Sequence, residues 1–260
     1  MNNYSRKDRF IMFKLKLKAS LIHLALSAIV ISFVMSIIIL YWFPTPFLNV
    51  SNFKEIAYIL IAVDLVLGPL LTFVAFNPNK KSLNLDLSAI VTVQVMALSY
   101  GIYSLFLSHP LYVAYYDRGF SLVPTNLATP EKAKHKNFKV SKLASPTTVF
   151  MSVSEDEKSK MFTDMLNGGS DLEARAEYYE PLEKHLDTLI KNGLDPKTTF
   201  KDKLSKKKLN LFISKHGKSI DDYIFAPLTG DGKSVIWVLQ KDTGKPVDII
   251  DVLPIFTAKK

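Results

Sequence analysis

Residues 19–43 read ASLIHLALSAIVISFVMSIIILYWF, which is 25 positions without a single Asp, Glu, Lys or Arg. A helix rises about 1.5 Å per residue, so roughly 20 apolar residues cross the hydrocarbon core of a bilayer. Two more apolar windows follow: 21 residues at 56–76 with one charged residue, Asp64, and 22 residues at 87–108 with none. The sequence therefore predicts a membrane protein with three N-terminal transmembrane α-helices at 19–43, 56–76 and 87–108.

The first window is longer than the apolar part of a secretory signal, which has about 7–15 residues. It also ends in the aromatic run Tyr41-Trp42-Phe43, and such rings are typical of the membrane interface. We therefore expect this helix to be retained in the mature protein.

Basic residues predict how the helices are oriented. Six Lys and Arg residues precede the first window, whereas the loop after it, Pro44–Glu55, contains only Lys54, and the next loop contains Lys80 and Lys81. Excess Lys and Arg stay in the cytoplasm. Residues 1–18 are thus predicted to be a basic cytoplasmic N-terminus, and residues 109–260 a domain beyond the cell inner membrane, in the periplasm of a Gram-negative bacterium.

The pattern changes from residue 109 onward to that of a soluble α+β domain. Leu111–Val123 is rich in Val, Tyr and Phe and is predicted to be one strand with a bulge at Gly119. The capping box Ser154–Glu157 opens a helix, and further amphipathic helices are expected at 181–193 and 205–217. Apolar segments separated by Gly-containing turns predict a β-meander at the end of the domain.

Charge and cysteine content exclude some classes of partner and site. The net charge of +9 divides into +5 for residues 1–108, with nine basic and four acidic residues, and +4 for residues 109–260, with 24 and 20. The second group is mixed in sign, so no nucleic acid is predicted as a partner. The run Lys206–Lys208 is predicted to be a solvated helix start, with attraction to lipid headgroups as the alternative. The absence of Cys excludes disulfides and thiolate metal sites and agrees with an oxidising compartment.

No motif for catalysis is present. The five histidines are scattered without the spacing of a metal site, and there is no nucleophile elbow, phosphate-binding loop or His-Glu-x-x-His. We therefore predict no catalytic residue, no cofactor, no metal and no enzymatic activity.

Asp64 stands out because a carboxylate near the bilayer centre is costly and needs partners. It could belong to an internal polar cluster with His23, Ser27, Gln94 or Tyr100, or it could be a docking point for a positive group on a partner helix. A similar pair of alternatives holds for Tyr112, Tyr115 and Tyr116, as an interface anchor or as part of a partner-binding face.

A set of motifs in the membrane half resembles a known family. The motifs are Lys18-Ala19-x-x-x-His23-Leu24-x-x-Ser27, Trp42-Phe43-Pro44-x-Pro46, Val63-Asp64-x-x-Leu67-Gly68-Pro69-Leu70-Leu71-Thr72, Phe76-Asn77-Pro78-x-Lys80-Lys81-Ser82-Leu83 and Ala97-Leu98-x-Tyr100-Gly101. In order and spacing they resemble the TfpX/TfpZ-type accessory proteins encoded with type IV pilins in Gram-negative bacteria.

The resemblance implies a chaperone-like accessory protein of type IV pilus biogenesis that binds a cognate pilin and modulates its stability, assembly or pilus dynamics. Its partners would be the pilin subunit, the lipid bilayer and other pilus-assembly proteins. The hypothesis assigns pilin binding to Asp64, Gly68, Pro69, Gln94, Tyr100 and Gly101. The alternative is a membrane-bound pilin- or lipid-modifying enzyme with an unrecognised site.

Overall fold

The computed structural model of the chain describes residues 6–254. Three long apolar helices come first, namely α1 (Arg6–Tyr41), α2 (Phe53–Ala75) and α3 (Leu83–Ser108). Each contains an apolar window long enough to cross a membrane, so the chain is a multi-pass membrane protein. Residues 1–5 of the predicted N-terminal segment and residues 255–260 of the predicted C-terminal domain lie outside the described part.

The chain divides into two compact units. One, the membrane unit, takes the residues up to Leu40 together with Phe53–Phe106. The other, the sheet unit, takes Tyr41–Asn52 together with the residues from Leu107 onward.

Helix α2 contains a π-helical turn at Val63–Leu67, flanked by α-helical segments Phe53–Ala62 and Gly68–Ala75. Within this turn the N–H of Gly68 donates to the carbonyl of Val63, five residues back. Pro69 follows directly, has no N–H to donate and crowds the preceding turn of any helix. A local wide turn accommodates that crowding, and such turns are frequent at functional sites.

The sheet unit is built on one seven-stranded mixed sheet. Its strands are β1 (Pro110–Tyr116), β2 (Gly119–Pro124), β3 (Thr147–Met151), β4 (Tyr179–Glu180), β5 (Tyr223–Gly230), β6 (Lys233–Gln240) and β7 (Pro246–Ile250). The order is β4-β3-β1-β2-β5-β6-β7. β1 runs parallel to β3 and β2 parallel to β5, and the other neighbours are antiparallel. The predicted α+β domain ending in a β-meander is confirmed.

The single strand predicted at Leu111–Val123 is wrong, because this segment is a hairpin of β1 and β2. Asp117 and Arg118 form its two-residue turn, since Tyr116 pairs with Gly119. Asp117 has φ 56°, and Asp tolerates this left-handed region better than most residues. Gly119 starts β2 and forms no bulge. A Cβ there would lie 3.3 Å from the carbonyl oxygen of Pro227 in β5, so glycine permits a close approach of the strands.

Apolar layers cover both faces of the sheet. On one face, Trp237 and Tyr115 belong to a cluster that Leu182 and Leu189 complete. On the other face, Tyr112 belongs to a separate cluster that also contains Ala128, Ala133 and Phe138. Burial on both sides explains why β1 is an almost continuous apolar run without alternation.

The sheet unit contains the helices α4 (Glu155–Leu166), α5 (Leu186–Asn192) and α6 (Lys203–His216). α4 and α6 lie close to their predicted positions, whereas α5 begins five residues after the predicted start at 181, because Leu182–His185 form a 3-10 turn. The capping box of Ser154 and Glu157 is present at the start of α4. Helix α6 starts at an Asp202 cap and ends at Gly217, whose φ of 67° suits glycine. Leu209 and Phe212 of α6 pack on the sheet beside β5 and β6.

The connection between α1 and α2 is part of the sheet unit, which the sequence did not indicate. The short helix Phe47–Val50 within it places Phe47 and Val50 in the same core cluster as Trp237. The rings of Phe47 and Trp237 meet edge to face, with centroids 5.8 Å apart. The N–H of Asn52 also donates to the Oδ2 of Asp231 at 2.9 Å.

Candidate functional site

Polar contacts hold α1 against the second half of α2. Ser20 Oγ donates to the carbonyl of Pro69 at 2.8 Å, and Lys16 Nζ donates to the carbonyl of Val74 at 3.1 Å. In addition, His23 Nδ1 lies 2.6 Å from Thr72 Oγ1. Polar groups inside a bilayer seek partners of this kind, because lipid tails supply none.

Helix α3 meets α2 at the π-helical turn. Gln94 Nε2 lies 3.3 Å from Asp64 Oδ1 and 3.4 Å from the Asp64 carbonyl, so one amide contacts both the side chain and the backbone of the turn. A Cβ on Gly68 would lie only 2.1 Å from Gln94 Nε2, so glycine at this position makes room for the amide. One turn of α2 and one side chain of α3 thus form a single polar cluster.

A second close approach between α2 and α3 lies at Gly101. A Cβ there would lie 2.2 Å from Leu60 Cδ2, and Leu60 is buried. Small residues that let neighbouring helices approach are the usual means of helix packing in membranes.

Helix α2 is hydrogen-bonded to α1 on one side and to α3 on the other. A cleft lies between α1 and α3, and residues of α2 form its base. The cleft has a volume of about 500 Å³, and all of its lining belongs to the membrane unit. Five of the lining side chains are polar, namely His23, Ser27, Asp64, Thr72 and Gln94. The apolar walls come from α1 and α3, for example Leu26 and Val30 on one side and Val91 and Val95 on the other.

The chemistry of the cleft centres on Asp64, which is only 4% exposed although it lines the cavity. A carboxylate at this depth is costly, and groups of this kind mark functional sites when they face a cavity. Asp64 is thus a buried hydrogen-bond acceptor in the cleft lining that Gln94 holds in place.

His23 and Thr72 also form the type of pair in which a base activates a hydroxyl nucleophile. A nucleophile–base pair of that kind usually has a third group that orients the base. Asp64, the nearby carboxylate, bonds to Gln94 instead. Among residues 6–254, no group of three or more His, Asp or Glu side chains is arranged to hold a metal ion.

The structure brings most of the six hypothesised pilin-binding residues together. Asp64, Gly68 and Gln94 form the polar cluster, and Pro69 adjoins it as a buried residue that accepts the bond from Ser20. Gly101 lies at the other packing point, against Leu60. Tyr100 is 73% exposed and takes no part in the described bonds of Asp64, so it stands apart from the cluster.

Sequence reasoning named His23 as a candidate neighbour of Asp64 but missed the contacts of α1 with the second half of α2. Ser20, His23 and Thr72 are polar residues inside apolar windows, and that was the signal available for finding the contacts between α1 and α2.

Tyr112, Tyr115 and Tyr116 of β1 were predicted to be either an interface anchor or part of a partner-binding face. For Tyr112 and Tyr115 both predictions are wrong. Tyr112 and Tyr115 are buried in the sheet unit, 0% and 2% exposed, and therefore cannot form a partner-binding face or an interface anchor. The hydroxyl of Tyr112 donates to the carbonyl of Phe138. Burial, with a smaller effect from Glu131, raises the pKa of Tyr112 to about 12.

Comparison with known proteins points to fimbriae. The family of the fimbrial assembly protein FimB matches residues 11–52, which include most of α1 and the segment that carries Phe47 and Val50. Fimbrial assembly proteins of Dichelobacter nodosus, from serogroup I, from serogroups C1 and C2 and from serogroup E1, are each 33% identical to this chain over 100 residues.

Those 100 residues are 38% of this chain. They cover 76% of the protein of serogroups C1 and C2, but only 39% of the proteins of serogroups I and E1. No solved structure matches the chain. The chain belongs to the family of fimbrial assembly proteins.

Proposed function

We propose that this member of the fimbrial assembly family is a chaperone-like accessory protein of the inner membrane, which binds a type IV pilin subunit during pilus biogenesis. Membership of the family supports a part in fimbrial biogenesis. The relatives are named as fimbrial assembly proteins, and none of these names refers to a reaction. We place the pilin's membrane helix in the cleft between α1 and α3.

The observation that carries this proposal is the cleft itself. A pilin before assembly is a single apolar helix in the membrane with a globular head outside it. The cleft offers apolar walls on two helices and one polar cluster at its base, which suits the side of an apolar helix that carries one polar group. In our proposal Asp64 receives the polar N-terminal end of that helix.

The proposed orientation has the N-terminus in the cytoplasm and the sheet unit in the periplasm. The basic residues before the first apolar window support it. The segment Tyr41–Asn52 and the residues from Leu107 onward share one unit, which supports placing the end of α1 and the end of α3 on the same side of the membrane. Three crossings satisfy that requirement, because α2 returns the chain between them.

Photo-crosslinking in living cells tests whether a pilin occupies the cleft. Val95 of α3 lines the cleft and is 56% exposed, whereas Val93 is 55% exposed and is not part of the lining. We expect a photo-reactive residue at position 95 to give an adduct with the mass of one pilin, and the same residue at position 93 to give mainly lipid adducts. Equal pilin adducts from both positions, or none from either beside a visible control pilin crosslink, would argue against the cleft.

The contribution of Asp64 is tested separately. Asp64→Asn keeps the shape of the side chain but removes its ability to carry a charge, so we expect lower pilin levels and fewer pili while the protein itself accumulates normally. Unchanged pilin levels and piliation would remove Asp64 from the proposal and leave the cleft as an apolar site.

A further inference from the structure

Helix α6 has a second apolar side that faces away from the sheet. Leu209 and Phe212 pack on the sheet, but Leu204 is 63% exposed and Leu211 is 59% exposed. These two leucines are seven residues apart, which is two turns, so they lie on the same side of the helix. Nothing in the described part of the sheet unit covers them.

Lysines adjoin Leu211 on this helix, and Lys208, which lies between the two leucines in sequence, pairs with Asp251 at 3.5 Å. A shallow depression on this side is lined by Lys201, Lys203, Lys206 and Lys207, together with Asn210, Leu211 and Ser214, and no acidic side chain contributes to it. Elsewhere on the helix, Lys215 has an acidic partner in Asp248 at 2.7 Å. Within residues 6–254, no ion pair of this kind is described for the four lysines of the depression.

The acid nearest in sequence is already engaged. Asp202 Oδ1 accepts from the N–H groups of Leu204 and Ser205, both at 2.9 Å, as the cap of the helix. Hydrogen bonds, first of all that of Ser205, lower the pKa of Asp202. Its charge is therefore directed to the start of the helix.

We propose that this side of α6 is a docking surface for anionic phospholipid headgroups. Two exposed leucines flanked by lysines are the pattern of a helix that lies in a membrane interface, with apolar side chains inserted and ammonium groups among the phosphates. This goes beyond pilin binding, because it assigns a lipid contact to the sheet unit and does not depend on what fills the cleft.

The kind of basic residue favours lipid over an acidic protein. All four basic residues of the depression are lysines, and lysine is depleted at protein–protein interfaces whereas arginine is enriched there. The sheet unit is also joined covalently to membrane helices, so lipid is present at a high effective concentration and individually weak contacts suffice for docking.

The full-length chain reconstituted in lipid nanodiscs tests this proposal. The chain has no cysteine, so Leu204→Cys can be labelled at one position with a fluorophore. The matched control is Leu166→Cys in α4, where the leucine is 69% exposed. We expect a quencher carried by the lipids to quench the label at 204 in nanodiscs containing phosphatidylglycerol, to quench it much less in phosphatidylcholine alone, and to leave the label at 166 unaffected.

Replacing the lysines measures how much they contribute to docking of α6 on the lipid surface. Each basic residue near an anionic surface changes the docking equilibrium about fivefold, so Lys203→Gln, Lys206→Gln and Lys207→Gln together are expected to weaken docking by about a hundredfold. Raising the salt concentration should release the label at 204 in the unaltered chain as well.

Two outcomes would overturn the proposal. One is quenching at 204 that is the same in both lipids or is unaffected by the lysine changes. The other is a label at 204 that becomes protected only when purified pilin is added, because this would assign the surface to an acidic protein partner. Either outcome leaves crosslinking from position 95 unaffected, so failure here is distinguishable from failure of the pilin proposal.

Discussion

The two units bury their side chains in different ways. In the sheet unit, large residues such as Trp237, Tyr112 and Tyr179 are almost fully buried, and both faces of the sheet are covered. In the membrane unit, only 17% of the apolar window of α1 and 11% of that of α3 are buried, against 33% for α2 between them. The sheet unit has a complete core, whereas the membrane unit is held together mainly along α2.

Because of this difference, we expect substitutions in the two units to have different effects, on stability in the sheet unit and on binding at the cleft. A change in the core of the sheet unit should unfold that unit, because interiors are closely packed. A change at the cleft should leave the fold largely unaltered and act on what the cleft binds. Four substitutions test this expectation, and they are given in order from the largest expected loss of stability to the smallest.

Trp237→Ala should have the largest effect on stability. The side chain is 1% exposed and touches both Phe47 and Phe120, so we expect a loss of roughly 3–5 kcal/mol in the free energy of unfolding. Protease resistance of the full chain in detergent, followed in denaturant, measures it. Leu143→Ala, at a residue 63% exposed, is the control. If Asp64→Asn lowered protease resistance as much as Trp237→Ala does, changes at the cleft would also unfold the chain, and the expected difference between the two units would be contradicted.

Phe47→Ala tests whether the loop between α1 and α2 really belongs to the sheet unit. Phe47 is 7% exposed and packs in the core, so we expect a loss of about 3 kcal/mol in the same unfolding assay. Asn49→Ala, at an exposed position in the same short helix, should change little. Equal behaviour of the two variants would mean that this segment contributes nothing to the core.

Gly101→Ala tests the packing of α3 on α2. The added methyl group would overlap Leu60, and overpacking of this kind costs roughly 1–3 kcal/mol. Ser99→Ala, at an exposed position in α3, provides the control. Thermal stability in detergent, read from a fluorophore attached to α3, should fall for the first variant alone. A shift of the same size for both would contradict the close contact.

The ion pair of Asp248 should give the smallest effect, and one that depends on pH. Burial alone would raise the pKa of Asp248, but hydrogen bonds from Lys215 and His216 outweigh it and hold this pKa below the ordinary 3.8. Because the folded carboxyl binds its proton less tightly than the unfolded one, the stabilisation is present above the unfolded pKa and is lost as the pH falls through the folded pKa.

For Asp248→Asn we therefore expect a loss of about 0.5 kcal/mol near neutral pH, as for other pairs near the surface. The difference from the unaltered chain should vanish once the pH has fallen well below 3.8. Unfolding curves recorded across this range measure it, with Asp251→Asn as the control because that carboxylate is 84% exposed. A difference that persists at low pH would point to packing and away from charge.

The parts of the fold that depend on local signals were predictable from the sequence. The apolar windows indicated α1, α2 and α3, the capping box indicated α4, and Gly217 indicated the end of α6. Each of these signals lies within a few residues of the feature that it indicates, so one sequence is sufficient to find it.

Features that join distant segments were not predictable in this way. The turn at Asp117 was missed because Asp-Arg is an uncommon turn pair between two apolar runs, and the placement of Phe47 depends on Trp237, far along the chain. At the cleft, Asp64 and Gln94 were singled out because polar residues are rare in apolar windows. The partnership of His23 with Thr72 needed the structure.

The shared unit of Tyr41–Asn52 and the C-terminal strands also sets an order of events during synthesis. Phe47 leaves the ribosome about 190 residues before Trp237, and at roughly 5–20 residues per second that is an interval of about 10–40 s. Throughout it, Phe47 and Val50 lack the residues that β6 contributes to their core cluster. If translation stops before β6, Phe47 and Val50 stay exposed to solvent. Proteases can then cleave the truncated product at this segment.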